Sequence, residues 1–247
     1  MTVSWLQADW PVAGTVVAGT TLRSGGASHG EFDALNLAAH VGDDPDAVVE
    51  NRRRLQVDCK LPTEPLWLRQ VHGTAVARAA DRPEQGEADA IISSEPDSVC
   101  AVLTADCLPV LFASDDATQL GAAHVGWRGL CAGILEKTVA AMNASPERIF
   151  AWFGPAISQP AFEVGLELRE MFVDQDKTAD AHFSENDSGL WQADLYGLAC
   201  MRLQGCGVTR IFGGGLCTHA DQQRFFSYRR DGRCGRMASF IFRRPEA

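Results

Sequence analysis

Three side chains set the chemical question. His72, Cys107 and His124 each stand among turn-forming residues, as His72-Gly73, Asp106-Cys107-Leu108-Pro109 and His124-Val125-Gly126. Each falls at the end of a predicted strand, where a side chain is held firmly yet stays reachable. Two imidazoles and one thiolate form a borderline-soft donor set that suits zinc. Three protein ligands leave a fourth position open, the pattern of catalytic zinc. Water at such a zinc ionises near neutral pH. The intervals of 35 and 17 residues match no local zinc signature, and a lone cysteine is usually a small buried hydrophobe. The same residues admit a second chemistry, with Cys107 as nucleophile, His124 as its base, and Asp106 or Asp89 orienting the imidazole. A third is a closed structural zinc site that takes His40 or Cys100 as its fourth ligand.

Composition narrows the setting for this chemistry. The 247 residues carry 22 basic and 32 acidic side chains, a net charge of −10. That balance argues against a nucleic-acid partner, which needs a basic face. Nineteen of the basic residues are Arg and three are Lys, and seven arginines fall between Arg224 and Arg244. Arg is the side chain for bidentate contact with carboxylate or phosphate. Eight cysteines with no C-x-x-C pair suggest reduced thiols and a cytoplasmic location. No Lys or Arg precedes Arg23, and Asp9 interrupts the early apolar residues, against a secretory signal. The longest apolar stretch, Val99 to Ala113, contains Asp106 and is too short to span a bilayer, so no membrane partner is expected.

The elements that must position these residues follow from periodicity and turn signals. Strands are predicted over Thr15 to Leu22, Leu66 to Val71, Ala75 to Ala79, Ala90 to Ser93 and Val99 to Leu103. Further strands are predicted over Pro109 to Ala113, Leu120 to Val125, Ile149 to Phe153, Val208 to Phe212 and Arg236 to Phe242. Asp44-Pro45 supplies an N-cap and a first-turn proline for a helix to about Val57. Arg128 to Met142, Gly165 to Val173 and Ala193 to Leu203 carry helical spacing. There is no repeat and no long linker, so a single domain over 1–247 is expected, of α+β class.

Seven segments in chain order then carry a resemblance. They are Thr21-Leu22-Arg23-Ser24-Gly25-Gly26-Ala27-Ser28, Leu35-Asn36-Leu37, Arg69-Gln70-Val71-His72-Gly73 and Ala88-Asp89-Ala90, followed by Thr104-Ala105-Asp106-Cys107-Leu108-Pro109, Ala123-His124-Val125-Gly126-Trp127-Arg128-Gly129 and Phe225-Phe226-Ser227-Tyr228-Arg229-Arg230. Gly154-Pro155-Ala156-Ile157 adds an eighth. Together they resemble the YfiH-type laccase-domain family, also called the peptidoglycan editing factor family, over essentially the whole chain. The resemblance implies a mixed β-sandwich flanked by helices, in α/β/β/α layers like a cysteine-hydrolase fold. It also implies zinc held by His72, Cys107 and His124.

Three activities follow from the same resemblance. One is phosphorolysis of adenosine, inosine and 5′-methylthioadenosine, with deamination of adenosine beside it. Another is removal of L-serine from a nucleotide-linked peptidoglycan precursor, by zinc or by a Cys–His pair. The third is a copper polyphenol oxidase. Copper fits least well, because six histidines with no His-x-His cannot build a multicopper centre. Phosphorolysis would draw on Arg23, Asn36, Arg128 and Arg229 for substrate, and on Cys107, His124 and Asp106 for catalysis. The partners expected are a purine nucleoside and phosphate, with the protein a monomer or weak dimer. Deamination lacks the familiar H-x-E and C-x-x-C pieces. Trp127 and Phe225-Phe226 are candidates to stack on a purine.

Overall fold

The computed structural model describes residues 2–81 and 86–244. In chain order the first elements are β1 (Trp5–Gln7), β2 (Val16–Thr21), α1 (Pro45–Asp58), β3 (Val76–Arg78), β4 (Ala90–Ser93), β5 (Cys100–Thr104), β6 (Leu108–Ser114) and β7 (Leu120–Val125). There follow α2 (Trp127–Ala132), α3 (Ile134–Ala141), β8 (Ile149–Phe153), β9 (Glu163–Val164), α4 (Leu166–Val173), β10 (Phe183–Glu185), β11 (Trp191–Ala193), α5 (Leu195–Gly205), β12 (Arg210–Gly213), α6 (Tyr228–Asp231) and β13 (Met237–Arg243).

The strands form a four-stranded sheet ordered β1-β2-β13-β5, a six-stranded sheet ordered β12-β8-β6-β7-β4-β3, and a small sheet ordered β10-β11-β9. The six-stranded sheet is mixed: β12–β8 and β3–β4 run parallel and its other pairs antiparallel.

The two larger sheets stack, and period-two alternation decides which side chain fills which layer. From β5, Cys100 and Val102 enter the layer between the sheets, where they meet Leu111 and Ala113 of β6 and Ile241 of β13. Their alternates Ala101 and Leu103 turn outward with Phe240 and Phe242 onto Leu55 of α1. On the other sheet, Val110 and Phe112 face outward onto Leu130, Ile134 and Leu135 of α2 and α3 and Leu198 of α5. The order is therefore helix, sheet, sheet, helix, the mixed sandwich expected above. Because both faces of these strands are covered, they read as unbroken apolar runs rather than alternating ones.

Two sequence expectations change. Leu66 to Val71 is not a strand. Only Arg69 bridges, to Glu87, while the Gln70 side chain takes both polar groups of Leu103, at 2.7 Å each. Among the described residues the segment's backbone pairs only at Arg69, with Gly86 and Ala88, and the Val71 amide goes to the Asp89 carboxylate. The predicted helix Arg128 to Met142 is two helices, parted at Gly133, whose φ of +94° is left-handed. Strands β1, β9, β10 and β11 are too short to show a period in sequence.

Gly133 caps α2 and starts α3, and glycine alone takes that conformation without strain. Gly133→Ala is expected to lose about 1–2 kcal/mol, a drop of roughly 2–8 °C in Tm for a chain of this size. Scanning calorimetry measures it, and an unchanged Tm would remove this account of the helix break.

Candidate active site

Strand register brings the three side chains together. The start of β6 pairs with the end of β7, with Leu108 opposite Val125 and Pro109 opposite His124. Cys107, the residue just before β6, therefore lies beside His124. On the other side of β7, Ala90 pairs with Ala123, so Asp89 at the mouth of β4 also meets His124. Its carbonyl accepts the His124 amide at 2.7 Å.

Asp89 is fully buried and its carboxylate is saturated with donors. Oδ1 accepts from the His72 amide at 2.9 Å and faces His124 Nδ1 at 2.8 Å. Oδ2 accepts from the amides of Gly73 at 2.6 Å and Val71 at 3.2 Å. One carboxylate thus grips the loop that carries His72 and the ring of His124. Burial pushes its pKa up, but the His124 hydrogen bond and the Gly73 and Val71 amides outweigh it, so Asp89 stays below the usual carboxylate range. The loop needs that grip, because His72 sits at φ +59°, where a non-glycine residue is strained.

With His124 Nδ1 on Asp89, Nε2 is left for chemistry. Nδ1 or Nε2 of each histidine and Sγ of Cys107 lie within 4.8 Å of one another. Cys107 Sγ is 3.7 Å from His72 Nε2, close to the edge of about 3.6 Å that a tetrahedral zinc with ordinary Zn–N and Zn–S lengths requires. The imidazole rings meet edge to face at 4.7 Å. A carboxylate behind a ligating imidazole is the usual support of a metal site. Donor type, spacing and support all fit a zinc ion. Gly126 permits the approach: a Cβ there would lie 2.6 Å from His72 Cδ2 and 3.2 Å from Cys107 Sγ.

Without a metal the same geometry makes a Cys–His–Asp series. Burial alone would raise the Cys107 pKa, but the imidazoles of His124 and His72 outweigh it and bring the thiol down to about 6. Burial likewise opposes charge on His124, and Cys107 and Asp89 together raise it to about 9.

The other sequence candidates divide. Arg128 lines the cavity of about 440 Å³ that opens over the trio, together with His40, Gln70, Thr104, Tyr228 and Arg236. Its guanidinium lies 4.4 Å over the Trp127 ring and has no hydrogen-bond or ion-pair partner among the described residues. Arg23 is spent on the carbonyls of Asp33 and Gln222 and covers Phe226. Asn36 is buried against Ala38 and Asp43. Arg229 reaches the Glu163 carbonyl and the Phe162 ring.

Asp106 binds the Thr218 hydroxyl and the Arg229 amide, both at 2.6 Å, and its carbonyl accepts from Ile157. It anchors the strained link that presents Cys107, with φ +90°. Phe225 and Phe226 are fully buried, so the aromatic ring at the cavity is Tyr228, which is 60% exposed. Cys100 points between the sheets. Sequence reasoning did not single out Thr104, Gln70, Tyr228 or Arg236 as site residues. The first three lay inside the motifs quoted above, and Arg236 lay in the arginine-rich end.

Known proteins resemble this chain over nearly its whole length. The family model described as multi-copper polyphenol oxidoreductase laccase matches residues 17–244. The chain is 51% identical to purine nucleoside phosphorylase YfiH of Escherichia coli strain K12 over 235 residues, 95% of this chain and 96% of that protein. It is 48% identical to a purine nucleoside phosphorylase of Pseudomonas aeruginosa over 240 residues, 97% of this chain and 98% of that one. A crystal structure of a Neisseria meningitidis protein of the DUF152 family superposes with a TM-score of 0.94 at 45% identity, covering 98% and 99% of the two chains.

Two measurements test this geometry. Asp89→Asn keeps the shape but offers an amide where four donors need acceptors. Zinc affinity, by competition with a chromophoric chelator, is expected to fall roughly 10- to 100-fold; unchanged affinity would mean Asp89 does not support the ligands. In metal-free protein, iodoacetamide labelling of Cys107, followed by peptide mapping, should rise through a midpoint near pH 6, because the thiolate is the reacting form. Cys59 and Cys100, pushed up to about 12 by burial, should stay unlabelled. A Cys107 midpoint near 8.5, the ordinary thiol value, would rule out its pairing with His124.

Proposed function

The chain belongs to the multi-copper polyphenol oxidoreductase laccase family, the YfiH-type laccase-domain family, and from that premise we propose that it is a zinc-dependent purine nucleoside phosphorylase. Relatives at up to 51% identity over nearly their whole length bear the name purine nucleoside phosphorylase. This chain is accordingly an enzyme of small-molecule substrates, a nucleoside and phosphate. The single observation that carries the metal is the His72, Cys107 and His124 cluster with Asp89 behind it.

Zinc bound there would supply Lewis-acid chemistry, which serves phosphorolysis and the deamination of adenosine alike. His72, Cys107 and His124 would hold it. Asp89 fixes the His124 ring with Nε2 outward and keeps the His72 loop in its strained turn. Arg128 offers a guanidinium without a partner beside the trio, the group to take a phosphate oxygen. Tyr228 gives a flat apolar face at the cavity mouth for a purine.

One ligand cluster among the described residues, and six histidines in all, support a single borderline metal over a multicopper oxidase centre. Among the described residues no helix is long and apolar enough to cross a membrane. A cytoplasmic location agrees with the eight unpaired thiols.

A second reading, amide hydrolysis of an L-serine-containing cell-wall precursor, has its own observation. Cys107, His124 and Asp89 stand in nucleophile, base and orienting positions. A zinc-bound thiolate is a poor nucleophile, so metal content decides whether such a hydrolase would use Cys107 or zinc, and the products decide between the two readings.

Purified protein incubated with adenosine and phosphate is expected to release adenine and ribose 1-phosphate, and inosine to accompany them. Elemental analysis should find about one zinc per chain, lost in Cys107→Ala. Release of serine from the precursor with no adenine or inosine would overturn the nucleoside reading in favour of the hydrolase. Several copper atoms per chain would overturn zinc.

A further inference from the structure

The cavity over the trio is lined by two guanidiniums that no carboxylate pairs with among the described residues. Arg128 and Arg236 both line it, and no acidic side chain does. Arg236 donates through Nη1 to the carbonyls of Cys234 and Gly235, and no carboxylate pairs with it among the described residues. Three other guanidiniums in the arginine-rich end are committed to carboxylates: Arg224 to Asp221, Arg230 to Asp231 and Arg233 to Glu31. His40 shares the cavity, and its burial, with Arg236 and Arg52 nearby, holds its pKa low, so it adds no third charge at neutral pH.

A second, independent observation lies on the same wall. Thr104 is 1% exposed, and its hydroxyl is a buried polar atom with no hydrogen-bond partner. Such orphans are rare in native proteins, and each calls for a cause. Thr104 ends β5 and pairs with Met237 of β13, so Arg236 stands at the adjoining strand end. Thr104, with that unsatisfied hydroxyl, and Arg236, whose guanidinium meets no carboxylate, line the same cavity as Arg128. An anion with several acceptor oxygens would satisfy both, and would relieve the repulsion between two guanidiniums in one cavity.

We propose that Arg236 and the Thr104 hydroxyl, with Arg128, form the binding site of the attacking inorganic phosphate. This rests on the phosphorylase reading above. In the reaction, a phosphate oxygen forms the new bond to C1′ and the C1′–N bond to the purine breaks. The bond pair leaves with the base, and the proton carried by hydrogen phosphate ends on it. The charge that must be held throughout is that of the phosphate, and the two guanidiniums hold it.

Two variants and a direct titration test the site. Thr104→Val removes the hydroxyl at constant shape, and since that hydroxyl has no protein partner the fold should survive. Arg236→Met removes the charge, and Arg236→Lys restores it without the fork. Inorganic phosphate alone, titrated into the protein by calorimetry, should bind about ten- to a hundredfold more weakly to the Thr104→Val and Arg236→Met variants, with part of the loss recovered by Arg236→Lys. In turnover, KM for phosphate should rise by a similar factor while KM for the nucleoside stays within about twofold. Unchanged phosphate affinity in Thr104→Val and Arg236→Met overturns the proposal, as does an equal rise in both KM values, which marks a structural role. Wild-type protein that binds phosphate but yields no ribose 1-phosphate would refute the phosphorylase reading and leave the anion site standing. Wild-type protein that makes ribose 1-phosphate, with variants whose phosphate KM does not rise, would do the reverse.

Discussion

The site depends on one buried carboxylate. An ionised group with no exposed surface is expensive unless donors surround it, and Asp89 has four within 3.2 Å. Three are consecutive backbone amides, which only a tight loop can aim at one point. The fourth is the ring of His124. Asp89 therefore converts the register of β4 on β7 into the position of two imidazoles that lie 52 residues apart in the chain. The surrounding core matters to chemistry chiefly because it keeps that carboxylate dry and its donors in place.

Cys107 comes from a different constraint. It sits on the three-residue link between β5, which belongs to one sheet, and β6, which belongs to the other. A chain that changes sheets must turn sharply, and Asp106 takes the left-handed turn while its carboxylate ties down Thr218 and Arg229. Gly126, with no side chain, lets the opposite wall close in. The thiol is thus held at the seam of the sandwich, at the edge shared by both layers.

Much of this was legible in sequence and some was not. The central strands were visible because double-sided burial leaves unmistakable apolar runs, and β4, β7 and β8 begin and end where turn residues predict. The three ligand candidates were visible as reactive types beside turns. Their convergence was not, since intervals of 35 and 17 residues carry no periodicity that links them. The arginines misled most. Arg23 and Arg229 have the right type and lie in the right motifs, yet they bond carbonyls away from the cavity and do not line it. Whether an arginine is free depends on partners far away in the chain. The segment Leu66 to Val71 looked like a strand because it is apolar, but the Gln70 side chain makes the contact to β5 and Asp89 takes the Val71 amide, partners that a sequence pattern does not register.

The place of β13 in its sheet has a consequence for biosynthesis. Residues 237–243 form an interior strand, paired with β2 on one side and β5 on the other. Every residue before 237 leaves the ribosome before that sheet has its centre, so β5 and the Cys107 link wait as an open edge during translation. Pairings across some 220 positions are slow to find, and an unpaired apolar edge in the interval invites association with other chains. The nascent protein therefore meets its chief hazard of aggregation in the four-stranded sheet, while the strands that bring the imidazoles to Cys107, β4, β6 and β7, already have one another to pair with.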